Sequence, residues 1–324
     1  MRSDVSVKNR ILGALWGAAI GDALGVPVEF CSRKDRDRNP VTDFRGYGTH
    51  NQQPGTWSDD TSLTLCTIDT LLRAGEDHEA LGQSFVQWLN AEIWTPRGRV
   101  FDVGNTTVDA IRRLARGVPP LEAGRDDELS NGNGSLMRIL PVAIWFADRR
   151  TADTVEAAHQ FSALTHRHPR AQAGCAIFCL IARRLLAGIG SASAIEGAWK
   201  QAQRHYRADP FASEMRAYSR IGSASDLMRL KVGVIRGSGY VVDALEASLW
   251  CLLNSKSFEQ AVLSAVNLGD DTDTTGAITG ALAGLRYGLD AIPADWRAKL
   301  ARCDDLEKLF TAFVTRVSME RQES

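Results

Sequence analysis

The stretch "TTGAITGALAGLRYG", residues 274–288, and an earlier one, "ILGALWGAAIGDALG", residues 11–25, are both rich in glycine and alanine. Apolar residues recur in each at a spacing of three to four, which indicates an amphipathic or buried helix. Small side chains allow helix backbones to approach one another closely. We therefore expect both helices to lie in the centre of an all-α domain.

The same spacing predicts helices along the rest of the chain, and no convincing strand ladder accompanies them. The predicted helical segments are 8–24, 61–74, 79–92, 104–116, 135–147, 152–164, 170–187, 241–254, 257–266, 274–288 and 304–316. The loops 31–56 and 117–134 are long for a compact domain, and long ordered loops are often functional. Within the first, the charge run "RKDRDR" at 33–38 is interpreted as a solvated loop. No linker and no fixed-period repeat interrupts the pattern, which predicts one compact domain over 1–324.

Composition and charge exclude several classes of protein. The chain has 324 residues, of which 44% are hydrophobic and 24% charged, so it can bury a large core. With 38 Lys and Arg against 39 Asp and Glu, the formal charge is −1. No global field therefore attracts nucleic acid or an anionic membrane.

The N-terminal segment and the cysteines bear on localisation. The apolar run from Ile11 to Ile20 is too short to span a bilayer, and Asp22 follows it where a secretory signal would stay apolar. The six cysteines are scattered, and four of them lie in apolar helical stretches, as buried thiols do. A reducing cytoplasm is the expected location. Cys175 and Cys179 are one helical turn apart without further ligands, which argues against zinc.

Two acidic clusters share one design. "NLGDDTDTTGAI" at 267–278 and "GTWSDDTSLTLCTIDTLL" at 55–72 both place Asp and hydroxyl residues directly before an apolar helical pattern. Helix capping explains one Asp at each helix start, because side-chain oxygens accept from free N–H groups there. The first of these clusters has more carboxylates than a helix end uses, and their charges repel one another. The two clusters therefore suggest one shared site.

A hard divalent cation resolves this repulsion. Asp and Thr oxygens without nearby His or Cys suit Mg²⁺ or Mn²⁺ rather than zinc or copper. The expected ligands are the carboxylates and hydroxyls of Ser58, Asp59, Asp60, Asp271, Asp273 and Thr274. This is enough oxygen for two ions that could hold and polarise a substrate oxygen and a water.

Six segments in this order resemble the ADP-ribosylglycohydrolase family, over nearly the whole chain. They are "GALWGAAIGDALGVPVEF" (13–30), "TWSDDTSL" (56–63), "GNGSLMRILPVA" (132–143), "LTHRHP" (164–169), "GYVVDALEASLW" (239–250) and "NLGDDTDTTGAITGALAG" (267–284). The resemblance implies a compact all-α fold with a binuclear magnesium or manganese centre in an ADP-ribose cleft. The family's metal ligands fall on the same six residues that the charge argument selects, with Ser58 where relatives often have Thr.

The resemblance also implies roles for residues that would be unremarkable alone. Glu29 matches a glutamate above the metals and ribose, and His166 a histidine near the ribose. The glycine-rich turn of Asn133, Gly134 and Ser135 lines the phosphate cleft, and free N–H groups at such a turn can cradle a diphosphate. Asp102 and Tyr240 match positions beside the leaving group, where a carboxylate could pair with guanidinium.

The implied reaction is metal-dependent removal of ADP-ribose from a modified protein, with arginine as the expected linkage. Asp102, Glu29 and a metal-bound Asp such as Asp271 all remain candidates for the general base. One alternative is the same fold acting on a serine or ester linkage. Another is an immunity or regulatory protein that binds and counteracts an ADP-ribosyltransferase, although intact acidic ligands favour an enzyme.

Overall fold

The computed structural model describes residues 5–323, and this part of the chain is built from α-helices joined by turns. The α-helices are α1 (Val7–Gly25), α2 (Arg33–Arg38), α3 (Asp59–Ala74), α4 (His78–Ala91), α5 (Asn105–Ala115), α6 (Pro120–Ala123), α7 (Leu140–Trp145), α8 (Thr151–Ala163), α9 (Pro169–Leu186), α10 (Ser191–His205), α11 (Phe211–Glu214), α12 (Ala224–Arg229), α13 (Val241–Leu253), α14 (Phe258–Val266), α15 (Thr272–Tyr287), α16 (Ala294–Lys299) and α17 (Cys303–Glu323). Short 3₁₀ turns lie at Val26–Val28, Glu128–Ser130, Ser219–Gly222, Val232–Val234 and Leu289–Ala291. No strand occurs in residues 5–323, so the predicted all-α class is confirmed. The predicted domain bounds reach residues 1–4 and 324, which lie outside the described residues, and the bounds stay a prediction.

The centre of the fold is the antiparallel pair of α1 and α15, which pack backbone to backbone. Glycines four residues apart line the contact in both helices. A Cβ added at Gly17 would lie 2.3 Å from the carbonyl oxygen of Gly280, and one at Gly280 only 2.0 Å from that of Gly17. Gly21 meets Gly276 in the same way. Only glycine fits here, which is the physical reason for the composition of the two stretches.

This antiparallel pairing fixes the position of the acidic residues at the start of α15. The C-terminal end of α1 meets the N-terminal end of α15, where a Cβ at Gly25 would lie 2.3 Å from the Asp273 Cα. The Thr272 hydroxyl donates to the Gly25 carbonyl oxygen over 2.8 Å. The chain that follows α1 therefore runs beside the start of α15.

A buried aspartate in α1 brings the start of α3 to the same place. The Asp22 carboxylate accepts from the Ser58 N–H at 2.9 Å, the Thr61 N–H at 3.0 Å and the Thr61 hydroxyl at 2.6 Å. Asp22 is fully buried, and this burial raises its pKa to about 6 against the effect of the hydrogen bonds. The two acidic clusters thus meet because both helix starts are anchored to one end of α1.

Several local predictions differ from the structure. The loop predicted over 33–38 is wrong, because this charge run forms α2 behind a capping box in which Ser32 and Asp35 bond to each other's backbone N–H. The helix predicted over 135–147 is confined to Leu140–Trp145, because the glycine-rich segment before it forms turns. The helix Ser191–His205 was not predicted.

The first helix is more extensive than its apolar run indicated. Together with the 3₁₀ turn that follows it, α1 covers Val7–Val28, which is long and apolar enough to cross a membrane, but 94% of its most apolar 18 residues are buried within the protein. Its partners are α15 and other helices of the core. This is the environment of a central core helix.

Candidate active site and metal centre

A cavity of about 540 Å³ opens where the starts of α3, α5 and α15 come together. Both acidic clusters contribute to its wall, through Asp59, Asp60, Asp271 and Thr274. The rest of the lining comes from Glu29, Phe30, Asp102, Val103, Gly104, Asn105, Thr106, Thr107, Gly132, Asn133, Gly134, Met137, His166 and Gly239. One cleft thus collects most of the residues that the sequence nominated.

Hydrogen bonds to Asp60 join the two clusters. Its Oδ2 accepts from the Ser58 hydroxyl at 3.2 Å and from the Thr274 hydroxyl at 3.3 Å. On the other side of the cleft, the Asn133 side-chain amide donates to Asp271 Oδ2 over 2.8 Å. The glycine-rich turn is therefore attached to the acidic centre through Asn133.

The remaining carboxylate oxygens are incompletely satisfied. Asp60 Oδ1, Asp271 Oδ1 and Asp273 Oδ2 are buried without a hydrogen-bond partner among residues 5–323. A buried carboxylate oxygen without a partner is costly, because it has lost its water and gained nothing in return. Three of them at one place fit a hard cation, and the all-oxygen donor set suits Mg²⁺ or Mn²⁺.

The charges of these aspartates support the same conclusion. Burial, together with the charges of neighbouring aspartates, raises the pKa of Asp59, Asp60 and Asp273 well above the ordinary value. Burial also raises the pKa of Asp271, against hydrogen bonds that include the one from Asn133. Such groups either hold protons or share a cation, and a divalent ion would allow them to ionise together.

A second set of titratable groups lies beside this centre. Glu29 follows the 3₁₀ turn after α1, and its carboxylate contacts His50 Nε2. The same nitrogen lies 3.5 Å from Asp102 Oδ1. Glu29 also has an oxygen within 4.8 Å of carboxylate oxygens of Asp271 and Asp273. Glu29 and Asp102 therefore lie beside the acidic centre in the wall of the cleft.

The loop that carries Glu29 is tied to its neighbours. The Phe30 N–H donates to the Asp270 carbonyl oxygen over 2.7 Å, beside the second acidic cluster. The Thr49 hydroxyl donates to the Glu29 carbonyl oxygen over 2.6 Å. Glu29 is accordingly 5% exposed, so it is part of the cleft wall in this structure.

These shifted groups predict how the stability of the ion-free protein depends on pH. Burial and then the charges of Asp273 and Asp271 raise the pKa of Glu29 from 4.5 to about 10, and burial raises that of Asp102 from 3.8 to about 9. The folded chain then holds protons that the unfolded chain releases above about pH 4, so stability is lost as the pH rises towards about 9. After EDTA treatment we expect the melting temperature to fall by roughly 5 °C or more between about pH 5 and pH 9.

Divalent ions should reverse this loss. Mn²⁺ or Mg²⁺ should raise the melting temperature, and more so at about pH 8.5 than at about pH 5.5, because ions compete with protons for the carboxylates. Differential scanning fluorimetry with Ca²⁺-free buffers and a no-metal control measures this. A melting temperature that is independent of both pH and metal would contradict the proposed cation site.

Three residues that the sequence nominated for substrate binding line the cavity. They are Asn133, Gly134 and His166. His166 is buried, its Nδ1 lies 2.9 Å from the Thr165 hydroxyl oxygen, and burial lowers its pKa to about 3. The imidazole is therefore neutral and can act as a hydrogen-bond partner for a hydroxyl group.

Four nominated residues do not line the cavity. Two of them, Ser58 and Asp273, belong to the acidic centre, and the other two are Ser135 and Tyr240. Ser135 is fully buried, with its hydroxyl oxygen 3.4 Å from Cys175 Sγ and 2.9 Å from the Ser162 hydroxyl oxygen. Tyr240 lies behind the glycine-rich turn, where its hydroxyl accepts from Arg170 over 3.1 Å. Both side chains support the wall of the cleft from outside its lining.

Sequence reasoning assigned no site role to Asp22, His50 or the start of α5. Asp22 did carry a signal, as a carboxylate inside an otherwise apolar helix. His50 carried none, because it stands in a long loop and meets Glu29 and Asp102 only in the folded chain. Asn105, Thr106 and Thr107 line the cleft at the first turn of α5.

The fold and the site define an all-α protein whose paired helix starts hold a buried acidic, cation-suited centre. The sequence profile of the ADP-ribosylglycohydrolase family matches residues 3–323, and the chain belongs to this family. The resemblance seen in the sequence motifs is thereby confirmed.

Individual relatives agree with this assignment. The chain is 35% identical over 303 residues to a Pseudomonas putida protein named ADP-ribosylarginine hydrolase Tri1, covering 93% of this chain and 76% of the relative. It is 30% identical over 301 residues to the ADP-ribosyl-[dinitrogen reductase] glycohydrolase of Rhodospirillum rubrum, covering 91% of each. A solved structure titled ADP-ribosylglycohydrolase-related protein complex superposes with a TM-score of 0.79 at 30% identity, covering 96% of this chain and 98% of that one. The protein is a glycohydrolase of this family.

Proposed function

We propose that this protein hydrolyses the N-glycosidic bond between ADP-ribose and an arginine side chain of a modified protein, using two Mg²⁺ or Mn²⁺ ions. The observation that carries the proposal is the set of three partnerless, buried carboxylate oxygens on Asp60, Asp271 and Asp273. Asp60 and Asp271 line the cavity together with Glu29 and Asp102. The arginine linkage is supported by the 35% identical relative named as an ADP-ribosylarginine hydrolase.

The residues that would hold the ions are the acidic and hydroxyl residues at the starts of α3 and α15. They are Ser58, Asp59, Asp60, Asp271, Asp273 and Thr274. Bound divalent ions would supply Lewis acidity to substrate oxygens in the cleft. Asn133 keeps Asp271 in place through its amide, and the Asp22 carboxylate keeps Ser58 in place through the Ser58 backbone N–H.

The glycine-rich turn and His166 are proposed to bind the ADP-ribose part of the substrate. Asn133, Gly134 and His166 line a cavity of about 540 Å³, within the range of ligand sites in proteins. Neutral His166 is suited to a ribose hydroxyl. Because the Ser135 side chain is directed to Cys175, its contribution is assigned to its backbone. Tyr240 contributes by supporting the glycine-rich turn, because a backbone bridge joins Tyr240 to Gly132 of this turn.

In the proposed reaction the bond between the ribose C1″ and the guanidine nitrogen breaks, and the oxygen of a water bonds to C1″. One proton of that water passes to a carboxylate, and the departing guanidine takes up a proton. Glu29, Asp102 and Asp271 line the cleft and are the carboxylates proposed for these transfers. Asp102 is also the carboxylate proposed to pair with the guanidinium group.

Comparison of linkages tests this proposal. Purified protein is incubated with arginine-ADP-ribosylated, serine-ADP-ribosylated and ester-linked substrates, and free ADP-ribose is quantified, with Asp60→Ala as the inactive control. We expect release from the arginine substrate, at least tenfold faster than from the others, and none from the variant. Release from serine or ester linkages alone would overturn the arginine assignment. No release from any substrate would favour a protein that binds an ADP-ribosyltransferase.

We also propose a cytoplasmic location. All six cysteines are free, and Cys66, Cys175, Cys179 and Cys251 are buried. Free thiols are the rule in reducing compartments, whereas secreted proteins commonly pair them. Fractionation of the producing cells, with detection of the protein by antibody, tests this location.

A further inference from the structure

His50 lies beside two carboxylates of the cleft wall, Glu29 and Asp102. Its Nε2 contacts Glu29 and lies 3.5 Å from Asp102 Oδ1. One oxygen of Glu29, one oxygen of Asp102 and one nitrogen of His50 all lie within 4.8 Å of one another. No motif of the sequence singled out His50, and the three residues come from different loops.

The imidazole ring is itself held in position. It packs against two phenyl rings, with centroid distances of 6.0 Å to Phe30 and 5.3 Å to Phe101. The His50 carbonyl oxygen accepts from the Gln52 side chain over 3.1 Å. Because the ring packs against the Phe30 and Phe101 side chains, the direction of Nε2 is restricted, and so is the position of the Glu29 carboxylate in contact with it.

The carboxylates of Glu29 and Asp102 need a neighbouring group that holds them in place. Glu29 and Asp102 are close enough to repel when both are ionised, and they lie beside the aspartates of the metal centre, which add to the repulsion. Asp102 also has a positive φ of 64°, an unfavourable backbone conformation that persists only where neighbouring contacts enforce it. His50 Nε2 contacts Glu29 and lies 3.5 Å from Asp102 Oδ1, so the imidazole restricts where each carboxylate can lie in the cleft.

We propose that His50 is a positioning residue for the hydrolysis, holding Glu29 and Asp102 in the geometry in which they transfer protons and receive the leaving group. This role rests on the proposed function. His50 itself does not touch the substrate, since the cavity lining includes Glu29, Phe30 and Asp102 but not His50. Its removal should therefore affect turnover more than substrate binding.

The test compares His50→Ala with His50→Gln. Misplacing catalytic groups by about 1 Å can cost a hundredfold in rate, so His50→Ala should lower kcat by roughly 10- to 100-fold. KM for the arginine substrate, and the affinities for ADP-ribose and Mn²⁺ measured by calorimetry, should stay within about threefold. The Gln side chain presents an N–H donor at a similar reach and should restore kcat to within about fivefold of the wild type.

Tyr47→Ala is the matched control. Tyr47 lies in the same loop, is 60% exposed and does not line the cavity, so its removal should leave kcat unchanged. Unchanged turnover in His50→Ala, or a Gln variant as slow as the Ala variant, would overturn the positioning role alone. Loss of Mn²⁺ binding in His50→Ala would overturn it in favour of a metal ligand. A wild-type protein that is silent on every linkage would overturn both this role and the proposed function.

Discussion

Replacing Asp271 or Asp273 by asparagine should lower ADP-ribose release by roughly a thousandfold or more and remove Mn²⁺ binding. Each carboxylate has a buried oxygen without a hydrogen-bond partner, which the amide of Asn cannot replace as a charged ligand. The two side chains have nearly the same size, so the fold should be retained. Titration calorimetry with Mn²⁺ and a turnover assay on the arginine-linked substrate measure the two effects.

Asp270→Asn provides the control for these variants. Asp270 is the preceding residue, but it is exposed, and its backbone rather than its side chain bonds to Phe30 and Cys31. Its φ of 62° is left-handed, a conformation that Asn adopts readily. Mn²⁺ affinity and turnover should therefore match the wild type. Full activity in the Asp271→Asn or Asp273→Asn variant would contradict the metal centre described here.

The Gly280→Ala substitution should destabilise the whole protein by roughly 3 kcal/mol or more, or prevent its folding. The added methyl group would lie 2.0 Å from the Gly17 carbonyl oxygen, so α1 and α15 must separate. Because this pair places both the Asp22 anchor and the start of α15, any soluble variant should also lose activity. Urea denaturation followed by circular dichroism measures the free energy of unfolding.

Gly233→Ala serves as the comparison, because a Cβ at Gly233 meets nothing within 4 Å. Its free energy of unfolding should lie within about 0.5 kcal/mol of the wild type. A Gly280→Ala protein that is as stable as the Gly233→Ala protein would show that the two central helices are not packed backbone to backbone.

Much of the fold could be predicted from apolar periodicity, and the exceptions have physical causes. The helix Ser191–His205 was missed because Ala194, Ala198 and Ala202 form much of its buried face, and alanine gives a weak apolar signal. The helix at Arg33–Arg38 consists of charged residues only and depends on its Ser32 cap. The pairing of α1 with α15 could not be read from periodicity, because it depends on which glycines meet.

The acidic clusters of the candidate site were predictable from the sequence, because together they hold more carboxylates than helix capping needs. An excess of carboxylates at the start of α15, with a similar acidic cluster at the start of α3, predicted one shared site. Asp60 and Thr274 join the two clusters in the structure. The role of Asp22 as an anchor could not be foreseen, because its partners Ser58 and Thr61 follow a long loop. The same loop brings His50 to Glu29, a contact that no local pattern encodes.

The most direct test of the central claim is release of ADP-ribose from an arginine-ADP-ribosylated protein before and after removal of divalent ions. The protein is treated with EDTA, dialysed, assayed, and assayed again with Mg²⁺ or Mn²⁺ restored. The proposed function predicts release that EDTA abolishes and that either ion restores, with no restoration in Asp60→Ala. Release that persists unchanged in the ion-free protein would contradict a metal-dependent hydrolase.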